Sequence, residues 1–206
     1  MRFIKENFHD ILRLYVNHIG IMIFALFTIT AVGAINLESD FLAVLASALS
    51  MLFFYVLIYY VVWELGGKDK IRVDGGRKER TPMKGLLLGL CGGAPHALIS
   101  LFCFIFTLIN AINVSANPEY LVMPETNPLG GVCGVFWVIM SVHGSMYQTL
   151  IYNGIVTNII PADNPYSMAF AAGLHMVIPI LAALVTHFAY TLGSKDKKIL
   201  DIFKRR

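Results

Sequence analysis

Between Lys84 and Lys195 the chain runs for 110 residues without one lysine or arginine. Charged residues of either sign are only 14% of its 206 residues, against 57% hydrophobic ones, which is too little charge for a soluble domain and marks a polytopic membrane protein. Cysteine is scarce as well. Cys91, Cys103 and Cys133 show no paired metal-ligand spacing and read as small core residues. A phosphate-binding loop, a glycine-framed nucleophile of the G-x-S-x-G kind and soluble nucleic-acid modules are all missing. The chain is therefore read as neither an ATPase nor a nucleic-acid binder, and enzymatic activity is not expected. Ser141 or Ser145 beside His143 supplies the residue types of an intramembrane hydrolase, but adjacency in sequence does not supply the geometry.

What the chain does have is long apolar runs, over residues 14–37, 41–63, 85–114, 129–160 and 168–193. About 20 apolar residues at a rise of roughly 1.5 Å cross about 30 Å of hydrocarbon. The first run lacks a small-residue cleavage site and is expected to remain as a transmembrane helix. The basic residues fall in three clusters. These are Arg2, Lys5 and Arg13; seven residues from Lys68 to Lys84; and Lys195, Lys197, Lys198, Lys204, Arg205 and Arg206. Glu38, Asp40, Glu119, Glu125 and Asp163 stand in the remaining polar loops. By the positive-inside rule the clusters, and with them both termini, are cytoplasmic.

That charge map raises a question of parity. A fifth crossing over 129–160 would put the basic tail outside, whereas a segment that enters and leaves on the external face keeps every basic cluster inside. "SVHGS", Ser141 to Ser145, offers the break between two half-helices too short to span alone. The expectation is an all-α integral membrane protein of one domain, residues 1–206. It has four full transmembrane helices plus a central element, re-entrant or a fifth span, and sits in the cell membrane.

Residues 64–84 are expected as a cytoplasmic loop, with "KIRVDGGRKER" patterned like a small hairpin around an Asp-Gly turn. Its basic side chains suit anionic lipid headgroups. Residues 1–13 and 199–206 read as short interfacial helices. The phrases "WELGGKDK" (63–70) and "YTLGSKDK" (190–197) echo each other. Gly66 and Gly193 in them read as helix C-caps with lysines at the negative dipole end, whether by convergence or by a parallel repeat of two hairpins.

Inside the apolar runs histidine is the titratable residue, at His96, His143, His175 and His187. "CGGAPH" places Pro95 beside His96 and predicts a kink with freed carbonyls, and Pro179 predicts another. Threading puts His96, His143 and His175 at comparable depth. The candidate ligand site is His96, Ser100, His143, Ser145, Gln148 and His175, with no cofactor and no metal assigned to it. Three function classes follow: a transporter-like or substrate-capture subunit, a structural or assembly subunit of a larger membrane complex, and a haem- or metal-binding redox subunit using histidine pairs. The partners expected are the bilayer, a second copy or another membrane subunit, and no nucleic acid.

Overall fold

The computed structural model describes residues 2–35, 40–77, 79, 81–117, 119–122 and 126–197. Glu38, Glu125, Lys78, Arg80 and the interfacial helix expected over 199–206 lie outside them. Among the described residues the regular structure is all helical. Three long helices come first: α1 (Arg2–Ile35), α2 (Asp40–Asp74) and α3 (Lys84–Ala116), followed by the single turn α4 (Glu119–Val122). Next are α5 (Gly130–His143) and α6 (Ser145–Ile151), a π-helical segment (Tyr152–Val156) and α7 (Thr157–Ile159). The described chain closes with α8 (Ser167–His175) and α9 (Ile178–Gly193). Four stretches are long and apolar enough to cross a membrane: α1, α2, α3 and the α8–α9 pair. Residues 130–143 and 145–159 pass that test only together, and they are bent by 111° at Gly144.

The outer faces of these helices are apolar. Phe27, Leu49, Leu52, Tyr60, Leu98 and Ile180 are exposed, as expected of helices whose solvent is hydrocarbon. Thr28, Thr30 and Thr107 sit in such helices by donating their hydroxyls to the carbonyls of Phe24, Leu26 and Cys103, four residues back.

The chain forms two compact units, residues 1–18, 53–94 and 179–206 in one and residues 19–52 and 95–178 in the other. In the first, several sequence expectations change. The segment expected as a short N-terminal helix is joined to the rest of α1 across a kink at Asn7 (φ −120°, ψ 18°), so that only residues 2–6 stand apart from the long helix. Asn7 satisfies its own amide by donating to the Phe3 carbonyl at 2.9 Å. Residues 64–74, expected as loop, continue α2. No strand forms in "KIRVDGGRKER" among the described residues. The α2 cap is Gly76, ten residues past Gly66: it holds φ +68°, with Gly76 N–H on Val73 O and Arg77 N–H on Arg72 O. Capping chemistry cannot choose between two glycines that both precede basic residues. The buried periodicity Ile58, Val62, Leu65, Asp69 carries the helix onward.

Gly193, too, is not the left-handed cap; Asp196 is, at φ 55°. Gly66 and Gly193 serve close approach instead, because the two echoing phrases pack against each other. A methyl on Gly66 would come within 2.5 Å of Tyr190 O and 2.9 Å of Ser194 N, and one on Gly193 would run into the Trp63 carbonyl. Trp63 Nε1 also donates to Lys197 O at 2.8 Å. On α3, Gly85, Gly89 and Gly93 repeat every fourth residue and face Tyr190, Thr186 with Ala183, and Pro179. Small residues at this spacing are how apolar helices bring their backbones together.

Gly66→Ala is expected to destabilise the protein by about 1–3 kcal/mol through overpacking against backbone. Gly67→Ala, whose nearest foreign atom is 3.9 Å away, should be neutral or gain up to about 1 kcal/mol of helix propensity. Thermal unfolding of both variants in the same detergent separates the two effects; equal melting temperatures would refute the close-approach role.

Candidate functional site

Three helix faces meet in the second unit. The buried residues Cys103 (α3), Met140 (α5) and Ala172 (α8) form an apolar cluster with Ile99, Phe104, Phe136 and Trp137 packed against it. His96 lies seven residues before Cys103, His143 three after Met140, and His175 three after Ala172, so each histidine shares a helix face with a member of that cluster. The packing that joins the helices thus also delivers the rings.

The rings do converge. His96 Nδ1 and His143 Nδ1 are 3.0 Å apart with their rings stacked, centroids 5.2 Å apart. His175 stands 5.6 Å from His96 between centroids, and Tyr147, fully buried, packs edge-on to both at 5.6 and 6.1 Å. At 3.0 Å one imidazole of the His96–His143 pair donates and the other accepts, which sets complementary tautomers. On the far side of His96, Ser100 Oγ lies 3.5 Å from Nε2. His175 is completely buried, and neither of its ring nitrogens has a hydrogen-bond partner among the described residues. Such an orphaned group costs about 1–3 kcal/mol and calls for an explanation.

The helix ends place these rings. His143 and His175 are each the last residue of their helix. The chain turns at Gly144, where a Cβ would lie 2.7 Å from His175 Cε1 and 3.1 Å from His96 Cε1. A side chain there is accommodated only if those rings move. The break ahead of Pro179 falls at Met176–Val177, directly after His175. Around Pro95, in contrast, α3 stays helical, and the missing N–H of the proline deprives the Cys91 carbonyl of its usual donor. The full breaks are the ends of α5 and α8.

The other expected site residues divide. Ser100 joins the cluster through His96. Ser145 is buried at the turn, but its hydroxyl donates to Met22 O at 2.8 Å and anchors α6 to α1. Ser47, which the sequence did not single out, makes the matching anchor from α2: its hydroxyl donates to Met146 O at 2.8 Å and accepts from Leu150 N at 3.2 Å. Gln148 has its Oε1 buried without a partner, and no described hydrogen bond links it to the histidines. His187 belongs to the first unit. There, too, His18, a further histidine of the first apolar run, is buried against Tyr15 and Phe54.

A second polar cluster, in the first unit, was hidden inside the basic segment. Lys84 is 2% exposed and its Nζ reaches Asp69 Oδ2 at 2.8 Å and Asp10 Oδ2 at 3.2 Å, while Tyr190 OH donates to Asp69 Oδ2 at 2.8 Å. Lys84 is therefore not a headgroup-facing cation. Next to this cluster a cavity of about 340 Å³ is lined by Asp69, Lys70, Asp74, His187, Tyr190 and Lys195 among others, and by none of the expected site residues.

The chain matches no protein-family model, no curated protein and no solved structure. The chemistry of the histidine cluster therefore has to carry the functional reading.

Two expectations follow. Gly144→Ala should displace the rings of His96 and His175, seen as moved imidazole resonances and a lower melting temperature, while Gly134→Ala, with open space at its Cβ, should change neither. Lys84→Ala, which strands Asp69, should cost about 3–5 kcal/mol, and Lys84→Met combined with Asp69→Asn should recover much of it. A Lys84→Ala protein as stable as wild type would show that the ion pair contributes nothing.

Proposed function

We propose that the chain is a small multi-pass protein of the cell membrane, a transporter-like or substrate-capture subunit whose ligand site is the buried cluster of His96, His143 and His175. One observation carries this reading: three imidazoles from three helices converge at two helix ends, and one of them is fully buried with both nitrogens unpartnered. Interrupted helices with polar groups at the break are how several transporter folds build their sites.

In this reading the four long stretches cross the membrane, both termini are cytoplasmic, and residues 130–159 form a re-entrant hairpin from the external face. The 111° bend at Gly144 and the absence of any basic residue from 85 to 194 support it. The basic segments, Lys84 excepted, face anionic headgroups. A redox subunit with His96 and His143 as axial haem ligands is disfavoured. Two ligands about 2 Å from one iron on opposite sides stand about 4 Å apart, more than the 3.0 Å found. The second reading, a structural or assembly subunit, is favoured by Ser145, whose hydroxyl is committed to the Met22 carbonyl.

The test combines topology and retention. On a background lacking the native cysteines, Lys195→Cys should label from the cytoplasmic side and Asp163→Cys from outside, and native mass spectrometry of the purified protein should show a bound ligand that is lost in His143→Gln and His175→Gln. External labelling at 195 would refute the re-entrant arrangement. Unchanged retention in both variants would transfer the protein to the structural reading.

A further inference from the structure

We propose that the cavity at the ends of α2 and α9 and the entry to α3 holds the headgroup of one phospholipid of the phosphoethanolamine type, its phosphodiester on Lys70 and Lys195 and its ammonium on Asp74. Every lining residue belongs to the unit built from residues 1–18, 53–94 and 179–206, and none is a member of the histidine cluster, so this site goes beyond the capture reading and draws only on the helices crossing a membrane. At about 340 Å³ the cavity has room for roughly ten waters of about 30 Å³ each, the scale of a polar headgroup and not of a whole lipid.

The charges that line it do not close on one another. Asp69 is already occupied: its Oδ2 accepts from Lys84 Nζ and Tyr190 OH, each at 2.8 Å, and its Oδ1 lies 3.8 Å from Arg72. Two ammoniums and one carboxylate are left. Lys70 and Asp74 stand four residues apart on α2, the spacing of a helical ion pair, yet Lys70 lies instead 3.9 Å from the exposed Asp196, a contact of little strength. Asp74 and Lys195 have no ion-pair partner among the described residues. A ligand carrying both signs a few bonds apart complements this lining, because its phosphate oxygens accept from lysine while its own ammonium donates to the carboxylate. A purely anionic headgroup would set its charge beside Asp74 unanswered.

Apolar stripes lead away from the same cavity. Met83 lines it, and Leu87 N–H donates to Met83 O at 3.0 Å, so the helical register of α3 extends back to Met83. Met83, Leu87 and Leu90 then share one face, and all three are exposed. On α9, Phe188, Leu184 and Leu181 form a second exposed stripe that starts beside His187 of the lining. Acyl chains cover such stripes, whereas a water-soluble zwitterion has no use for them. A polar, charge-bearing cavity continuous with apolar helix faces is therefore matched by a lipid and not by a free phosphoamine.

The experiment is native mass spectrometry of the full chain in detergent, offered equal amounts of phosphatidylethanolamine and phosphatidylglycerol with the same acyl chains. One phosphatidylethanolamine retained per chain, in preference to phosphatidylglycerol, is expected. Asp74→Asn should lower that preference by about three- to tenfold, and Lys70→Gln and Lys195→Gln should each weaken retention of both lipids by about as much. Lys68→Gln, at an exposed α2 position outside the cavity, should change neither, and nor should His143→Gln, so the outcome is independent of the histidine site. Thr191→Phe, which fills the cavity, should abolish retention; size-exclusion profiles identify a variant that fails to fold, and the wild-type preference stands without it. Equal or greater retention of phosphatidylglycerol by the wild type would overturn the proposal. So would a loss in Lys68→Gln as large as in Lys70→Gln, which is the behaviour of general surface charge. Glycerophosphoethanolamine, which has the headgroup without acyl chains, separates the two sources of this chemistry. It should displace the lipid only in large excess; binding as tight as the lipid's would assign the cavity to a soluble phosphoamine and sink the lipid.

Discussion

Close approach at glycine governs both units of this protein. Helices without an aqueous solvent gain little from burying leucine against leucine, and association then depends on dispersion and on bringing backbones near one another. Gly85, Gly89 and Gly93 do this along α3 against α9, and Gly66 with Gly193 does it between the two echoing phrases. At Gly144 the same property has a chemical consequence. With no side chain in the corner between α5 and α6, the rings of His96 and His175 occupy the space a methyl group would take. A single steric rule therefore builds the scaffold and shapes the histidine cluster.

Two polar clusters show opposite solutions to burying polarity. Around Lys84 the charges are complete: ammonium, two carboxylates and a phenol satisfy one another. A pair of this kind stabilises little against a well-packed apolar alternative, yet breaking it is costly, so it acts as a lock on the arrangement of α1, α2, α3 and α9 within its unit. Around His175 the account is left open, with two buried nitrogens and no partner among the described residues. The first network is closed and the second is not.

Anchoring of the α5–α6 corner follows the same economy. Ser145 and Ser47 use their hydroxyls on Met22 O, Met146 O and Leu150 N, the groups that a sharp bend exposes. At the other end of α5, Asn127 accepts from Leu129 N and Asn113, and donates to Asn110 Oδ1 at 2.8 Å. The bent segment is thus held at both ends by polar side chains, which frees the apolar faces between to pack on α3 and α8.

Composition, run length and charge placement by themselves determined the helical class, the four long apolar stretches and the break in "SVHGS", and gave His96, His143 and His175 a comparable position along their runs. These depend on local quantities, namely the length of an apolar run, the lack of a side chain at Gly144 and the rise per residue. What tertiary structure alone decided is which of several equivalent signals is used. Gly66 and Gly76 both look like caps, and only packing against the end of α9 makes Gly66 a contact and leaves Gly76 to cap. Pro95 and Pro179 both look like breaks, yet α3 stays helical through the first while the chain breaks just ahead of the second. Lys84 reads as one more surface cation until Asp69, carried inward by the continuation of α2 past residue 63, meets it. The physical reason is common to all three: a cap, a proline or a charge states a local preference, and the energy that selects among such preferences comes from partners distant in sequence.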